Sequence, residues 1–117
     1  MAKKNTKITY DKTYDIISFW NGKASQVSIE VGDFIVDIDS NGFFVGLEVM
    51  NASQNLQIDS EILAKIEKAE MSILYKPKYV YIMIKIKIAG KEKDISIPLT
   101  LDLGHKKVSR EQVLLSR

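Results

Sequence analysis

The twelve residues from Asp37 to Glu48, DIDSNGFFVGLE, satisfy the calcium-loop pattern D-x-[DN]-x-[DN]-G-x5-E at every fixed position. Asp37, Asp39 and Asn41 stand where the first three ligands would stand, Gly42 at the sharp turn, and Glu48 at the bidentate position. Such a loop chelates only when a helix on each side brings its oxygens around the ion. Here the flanks, VGDFIV and GLEVMN, alternate and are rich in β-branched residues. The expectation is therefore a β-hairpin with Asn41-Gly42 as a type I′ turn. Its register pairs Ser40 with Phe43, Ile38 with Val45, Val36 with Leu47 and Phe34 with Val49 on one face. A type I turn with Gly42 as a bulge would slip the pairing by one, set Glu48 opposite Phe34 and spoil the apolar match. Asp37 and Asp39 are then expected side by side on the solvent face, with Glu48 diagonal to Asp37. Carboxylates on a flat face do not wrap a large cation, so no tight calcium site is expected.

The other reactive side chains are sparse. The chain has no cysteine, which removes thiolate catalysis and cysteine-held zinc. His105 is the only histidine and sits in the basic stretch GHKK, with no local partner to orient it. The six glycines are scattered and form no phosphate-binding loop. Asp11 and Asp15 flank a tight turn. Paired carboxylates serve as acid and base when burial splits their pKa values, but aspartate also favours turns because it caps local N–H groups. No catalytic residue, metal ligand or cofactor is assigned. The most suggestive surface is YKPKYVYIMIKIKIAGKEK, where Tyr79, Tyr81, Met83, Lys85 and Lys87 share one face of a strand. Tyrosine and lysine there could stack bases and hold phosphates, or form the core and rim of a protein contact.

These residues need elements to hold them. At 117 residues and 45% hydrophobic, the chain has the size and balance of a single domain with its own core. KITYDKTYDIISFW reads as two short strands about a turn, NGK as a second turn, and SQVSIEV as a strand. NASQNLQ, residues 51–57, reads as a polar loop. Residues 59–71 read as the one helix: Asp59 or Ser60 caps it, Ile62, Leu63, Ile66 and Ala69 form a stripe, and Glu61 pairs with Lys65. Residues 79–102 read as a hairpin about a two-residue type II′ turn at Gly90-Lys91. That register sets Ile86 against Ile95, Ile84 against Ile97, Ile82 against Leu99, Met83 against Pro98 and Lys87 against Asp94. Pro98 lacks an N–H and marks a sheet edge near it. In the tail 104–117, Ser109 with Gln112 suits a capping box, while Val113, Leu114 and Leu115 could anchor a short helix or an edge strand. The fold class expected is α+β, mainly antiparallel β, with two hairpin or meander units and one packed helix.

Net charge is only +2, too small to argue for nucleic acid by itself. Its distribution is uneven: residues 1–60 carry 5 lysines against 8 acids, and residues 61–117 carry 12 basic residues against 7 acids. Lysine outnumbers arginine and isoleucine is abundant, a bias that accords with a thermophile. No apolar run follows the basic start, and the apolar stretches are too short for a membrane helix, so a cytoplasmic protein is expected.

YDKTYDIISF (Tyr10, Asp11, Asp15, Ile16, Phe19) and VDIDSNGFFVGLEVMNAS (Val36, Asp37, Asp39, Gly42, Val45, Gly46, Glu48, Ala52, Ser53) carry a likeness to a known family. Over residues 7–53 the chain resembles the family catalogued as domain of unknown function 2283, here extended by a C-terminal helix and hairpin. The resemblance implies a compact antiparallel β unit and no assigned activity. Some members stand beside small ribonuclease-toxin-like proteins, which implies an antitoxin or partner-binding role. The functional expectation is a non-enzymatic structural or interaction module that forms a homodimer or binds a small protein. The alternative is nucleic-acid binding through the Tyr79–Lys87 face.

Overall fold

The computed structural model describes residues 6–102 and, as backbone alone, residues 107–110. The first 44 of these residues form a five-stranded antiparallel sheet in the order β1-β2-β5-β4-β3. Its strands are β1 (Lys7–Asp11), β2 (Ile16–Trp20), β3 (Val27–Val31), β4 (Phe34–Ile38) and β5 (Phe44–Val49). Two short helices follow, α1 (Ala52–Leu56) and α2 (Ser60–Leu63). A second sheet, in the order β6-β7-β8-β9, comprises β6 (Ile66–Tyr75), β7 (Tyr79–Ile88), β8 (Ile95–Asp102) and β9 (Lys107–Arg110). The class is α+β with strands dominant. Among the described residues no helix is long and apolar enough to cross a membrane.

Alternation along each strand gives one apolar face per sheet, and the two faces contribute to one core. From the first sheet come Ile17, Phe19, Phe34, Val36, Leu47 and Val49; from the second, Ile82, Ile84, Ile86, Ile97 and Leu99. Ala52, Leu56, Ile58 and Leu63 add the helical segment to the same cluster. The sheets also touch at an edge: the Thr6 N–H donates to the Ala69 carbonyl at 3.3 Å, a single bridge between the start of β1 and β6.

The hairpin of residues 79–102 has the register expected from its isoleucines, with Ile86 opposite Ile95, Ile84 opposite Ile97, Ile82 opposite Leu99 and Met83 opposite Pro98. Its turn differs. Gly90, at φ +80°, is the second central residue of a turn closed by the Lys91 N–H on the Ile88 carbonyl, and the ladder stops at Ile86/Ile95. That places glycine where a type II turn needs positive φ, so the loop is wider and Lys87 and Asp94 lie outside the ladder. Pro98 lies just past the stretch Leu99–Asp102 that pairs with β9, so among the described residues β8 is an edge at the proline and covered beyond it. Ser109 is in β9 opposite Thr100, and Gln112 to Leu115 lie outside the described residues, as does His105.

The helix expected over 59–71 is a correction. Asp59 does cap it, accepting from the Glu61 N–H at 2.9 Å, but α2 ends at Leu63 and residues 66–75 are strand. Ile66 and Ala69 have helical spacing, whereas Ala69, Met71 and Ile73 alternate as a strand, and an irregularity between Ile66 and Lys68 brings Ile66 into the same row. In β6 they lie opposite Ile88, Ile86, Ile84 and Ile82. The apolar row of β7 needs neighbours on both sides, and that long-range pairing overrides local helix propensity. Glu61 consequently meets Lys12 of the β1–β2 turn at 2.5 Å rather than Lys65. The polar stretch 51–57 is a second correction, since it holds α1 with Ala52 and Leu56 fully buried.

The hairpin of residues 34–49 combines the two turns weighed for it. Phe34 opposite Val49 and Val36 opposite Leu47 keep the expected register. At the tip, Gly42 alone has positive φ (+86°), and its N–H donates to the Asp39 carbonyl. This is a type I turn followed by a left-handed glycine, since type I′ would need positive φ at Asn41 as well. It slips the pairing by one, to Ile38 opposite Phe44, and an irregularity at Asp37/Ile38 takes up the extra residue. Phe44 and Val45 are thereby both buried. The Phe44 N–H donates at 2.8 Å to the hydroxyl of Tyr75, at the end of β6 in the other sheet. The Tyr75 ring also meets Phe43 and Phe44 edge-on, each at 5.7 Å between centroids. Burial raises the Tyr75 phenol above its ordinary pKa, and the nearby Asp39 charge acts in the same direction.

Tyr75→Phe keeps these ring contacts and strands the Phe44 N–H. The expected loss is about 1–2 kcal/mol. Urea unfolding should show a lower midpoint at an unchanged m-value. An unchanged midpoint would mean that the bulge does not depend on this bond.

Candidate functional site

The residues that looked most like chemistry are brought together in part, and most are engaged by the backbone. Asp15 follows the β1–β2 turn in the left-handed region (φ +57°), which an aspartate tolerates better than most residues. That backbone turns both its carbonyl and its carboxylate toward the start of α1. The Ala52 N–H donates to the Asp15 carbonyl at 2.8 Å. The Ser53 N–H lies 3.1 Å from each Asp15 carboxylate oxygen, and the Ser53 hydroxyl donates to Oδ2 at 2.7 Å. The Tyr10 hydroxyl donates to Oδ1 at 2.6 Å. Asn51, the residue before the helix, makes no side-chain cap bond of its own, so Asp15 caps α1 from another part of the chain.

Burial alone would raise the Asp15 carboxyl, but the bonds from Tyr10 and Ser53 outweigh it and hold it below the usual range. Tyr10 is pushed up to about 12 by burial and by the hydrogen bond and charge of Asp15. Asp33 forms a second tie to α1, reaching both the residue before the helix and one inside it. Its Oδ2 accepts from the side-chain amides of Asn51 and Asn55, and those bonds lower its carboxyl.

Other motif positions have similar duties. Asp11 Oδ1 accepts from the Tyr14 N–H at 3.1 Å inside the turn, so Asp11 and Asp15 are held by different partners. Asp39 is not beside Asp37 on the sheet. It lies at the hairpin tip, where its carboxylate accepts from the Asn41 and Phe43 N–H groups. Asp37 accepts from the Ser28 hydroxyl at 2.5 Å, and Glu48 from that of Ser18 at 3.4 Å. Gly46 lies opposite Asp37, and a Cβ on it would come within 3.1 Å of Asp37 Oδ2 and 3.3 Å of the Phe19 carbonyl. Strands, not helices, flank Gly42. Among the described residues no three His, Asp or Glu side chains are grouped to hold a metal ion.

The second candidate surface is the outer face of the C-terminal sheet. Tyr79, Tyr81, Met83, Lys85 and Lys87 alternate with the buried row of β7 and are all exposed. Tyr79 and Tyr81 stack at 6.4 Å between centroids with 20° between planes. Neighbouring strands extend the face: Leu74 lies opposite Tyr81, Ser72 opposite Met83 and Glu70 opposite Lys85 on β6, with Thr100 and Pro98 on β8. A groove of about 380 Å³ runs between Leu74, Tyr81, Met83 and Pro98. Leu74 is 55% exposed. A helix over 59–71 would leave Leu74 outside any element, and only pairing with β7 brings it here. The lysines lie at one end, where Lys68 falls opposite Lys87.

Residues 7–53 match a family model. Its description is protein of unknown function (DUF2283). The matched segment runs from β1 to Ser53, the whole N-terminal sheet and the start of α1, and closes on the residue that Asp15 holds. The helix α2 and the second sheet lie beyond it. An uncharacterized protein of Methanocaldococcus jannaschii is 29% identical over 91 residues, covering 76% of this chain and 78% of that protein. That stretch is longer than the family match, so the likeness takes in sequence outside it. No solved structure matches.

Asp15→Asn should cost about 1.5–3 kcal/mol at neutral pH, the range for hydrogen bonds to a charged group. Because the folded-state carboxyl lies below its unfolded value of about 3.9, its contribution is present above that pH and lost as pH falls through the folded value. The gap between wild type and variant should therefore narrow in acid. Tyr10 works in the opposite sense: its raised value stabilises below about pH 10 and is lost as pH rises through about 12. Urea titrations from acid to alkaline pH, with ultraviolet titration of tyrosinate, check both. A gap that does not vary with pH would dissociate Asp15 from the helix cap.

Proposed function

We propose that this chain is a non-enzymatic interaction module that binds a partner protein on the outer face of its C-terminal sheet. The observation that carries the reading is the run of exposed side chains Leu74, Tyr79, Tyr81 and Met83 on one sheet face, where Leu74, Tyr81, Met83 and the half-buried Pro98 line a groove, with Lys68, Lys85 and Lys87 toward one end. Contiguous apolar surface rimmed by charge is characteristic of protein contact sites, and tyrosine and methionine are enriched at their centres. The engagement of the motif carboxylates in turns, caps and cross-strand bonds supports the non-enzymatic part. Nucleic-acid binding through the same tyrosines and lysines is the competing outcome. Against it stand the net charge of +2 and the packing of Tyr79 and Tyr81 on one another.

Tyr81→Ala and Met83→Glu change exposed positions and should leave the melting temperature near wild type. Each should weaken the partner complex by about tenfold to a hundredfold, as expected for residues at the centre of a contact. Affinity capture from the native host, followed by titration of the recovered protein against all three forms, measures this. Recovery of nucleic acid in place of protein, with affinity falling linearly in the logarithm of salt, would overturn the reading.

A further inference from the structure

The N-terminal sheet ends in β3, whose outward side has no partner strand among the described residues. Edge strands are ordinarily guarded by lysine, proline or a bulge. Val27–Val31, VSIEV, holds no lysine or proline and runs in unbroken register with β4. The other outer strands differ: β1 carries Lys7, β9 carries Lys107 and Arg110, and β6 meets the Thr6 bridge at Ala69. On the core side of β3, Val31 is buried, but Ile29 is 40% and Val27 is 53% exposed.

We propose that β3 pairs antiparallel with β3 of a second copy of this chain, across a two-fold axis at Ile29. The strand suits this because its residue types read the same in both directions: apolar, polar, apolar, polar, apolar. Val27 then faces Val31 of the second copy, Ile29 faces Ile29, and Ser28 faces Glu30. The apolar residues stay on the core side of both sheets, and each Glu30 meets a neutral serine, whose hydroxyl donates to Asp37 of its own chain, rather than a like charge. Shifting the pairing by two in one direction sets Glu30 against Glu30, a like-charge pair. Shifting it the other way leaves Val31 against Ser25. The backbone agrees with the unshifted register. The two-residue loop Gly32-Asp33 makes Val31/Phe34 a hydrogen-bonded pair, and by alternation Ile29 and Val27 also bond to β4. The N–H and C=O groups of Ser28 and Glu30 therefore point away from β4. These are the residues that the axis sets opposite one another, so each Ser28/Glu30 pair exchanges two backbone bonds. The interface lies in the N-terminal sheet, and the dimer leaves both C-terminal faces free, so a multivalent partner gains from the raised effective concentration.

Sedimentation and light scattering on the whole chain test the pairing through four exposed-site variants. Wild type is expected to dimerise. Ser28→Lys sets an ammonium against Glu30 twice in the dimer and should tighten it about tenfold, while still facing Asp37 of its own chain. Glu30→Lys alone faces a serine and should change little. The double variant sets like charges against each other and should be monomeric, with a melting temperature near wild type. Ile29→Cys should form a disulfide-linked dimer under mild oxidation, because a non-hydrogen-bonded pair brings its Cα atoms to about 4.5 Å and the chain has no other cysteine. A monomer at every concentration would overturn the inference, as would a double variant that dimerises like Ser28→Lys. So would a dimer indifferent to all of these and dissolved by Met83→Glu, which would locate the contact on the C-terminal face.

Discussion

Five side chains on one strand set the terms for the rest of the molecule. Val80, Ile82, Ile84, Ile86 and Ile88 all project to one side of β7, and none is more than 3% exposed. Burying each is worth about 1.5–3 kcal/mol, so the row must be flanked on both sides and covered from above. β8 supplies one flank through Ile97, Leu99 and Leu101. β6 supplies the other, which is why Ala69, Met71 and Ile73 are in a strand although their local sequence also suits a helix. The cover is the apolar face of the N-terminal sheet, and Leu56, Ile58 and Leu63 complete the same core.

Polar residues follow from that demand. Between the sheets the chain must turn out of β5, through two short helices, and into β6. A helix as short as α1 has little stability of its own. It is held by Asp15 and Asp33, which reach it from two turns of the N-terminal sheet. The aspartate-rich pattern that resembles a chelating or acid–base motif thus has a structural account, residue by residue. Asp39 holds its own hairpin tip, Asp37 lies over Gly46, and Asp15 ties the first turn to the first helix.

What remains outward is unevenly divided. The outer side of the N-terminal sheet carries carboxylates bonded to serines, with the Lys7 ammonium 5.0 Å from the centre of the exposed Trp20 ring. The outer side of the C-terminal sheet carries tyrosines, a methionine, a leucine and a proline around a groove. The groove and the β3 edge lie in different sheets, so occupation of one does not require the other.

The sequence by itself determined the mainly antiparallel class, the two hairpins and most of their register. In these stretches the side-chain period is two, and a one-residue slip would exchange core for solvent along the whole strand. It also determined that Tyr79, Tyr81, Met83, Lys85 and Lys87 share a face, since that needs alternation alone. Tertiary structure decided the rest. The stretch 66–71 carries apolar residues compatible with both periods, and only the facing isoleucines of β7 select the strand. Leu74 and Pro98 join the groove through pairing with a distant segment. The hairpin tip takes its type I turn together with burial of both Phe44 and Val45, while a hydroxyl from the other sheet accepts the Phe44 N–H. Asp15 caps a helix 38 residues away. Such contacts form only when the chain closes on itself, because their partners lie far beyond the reach of local spacing.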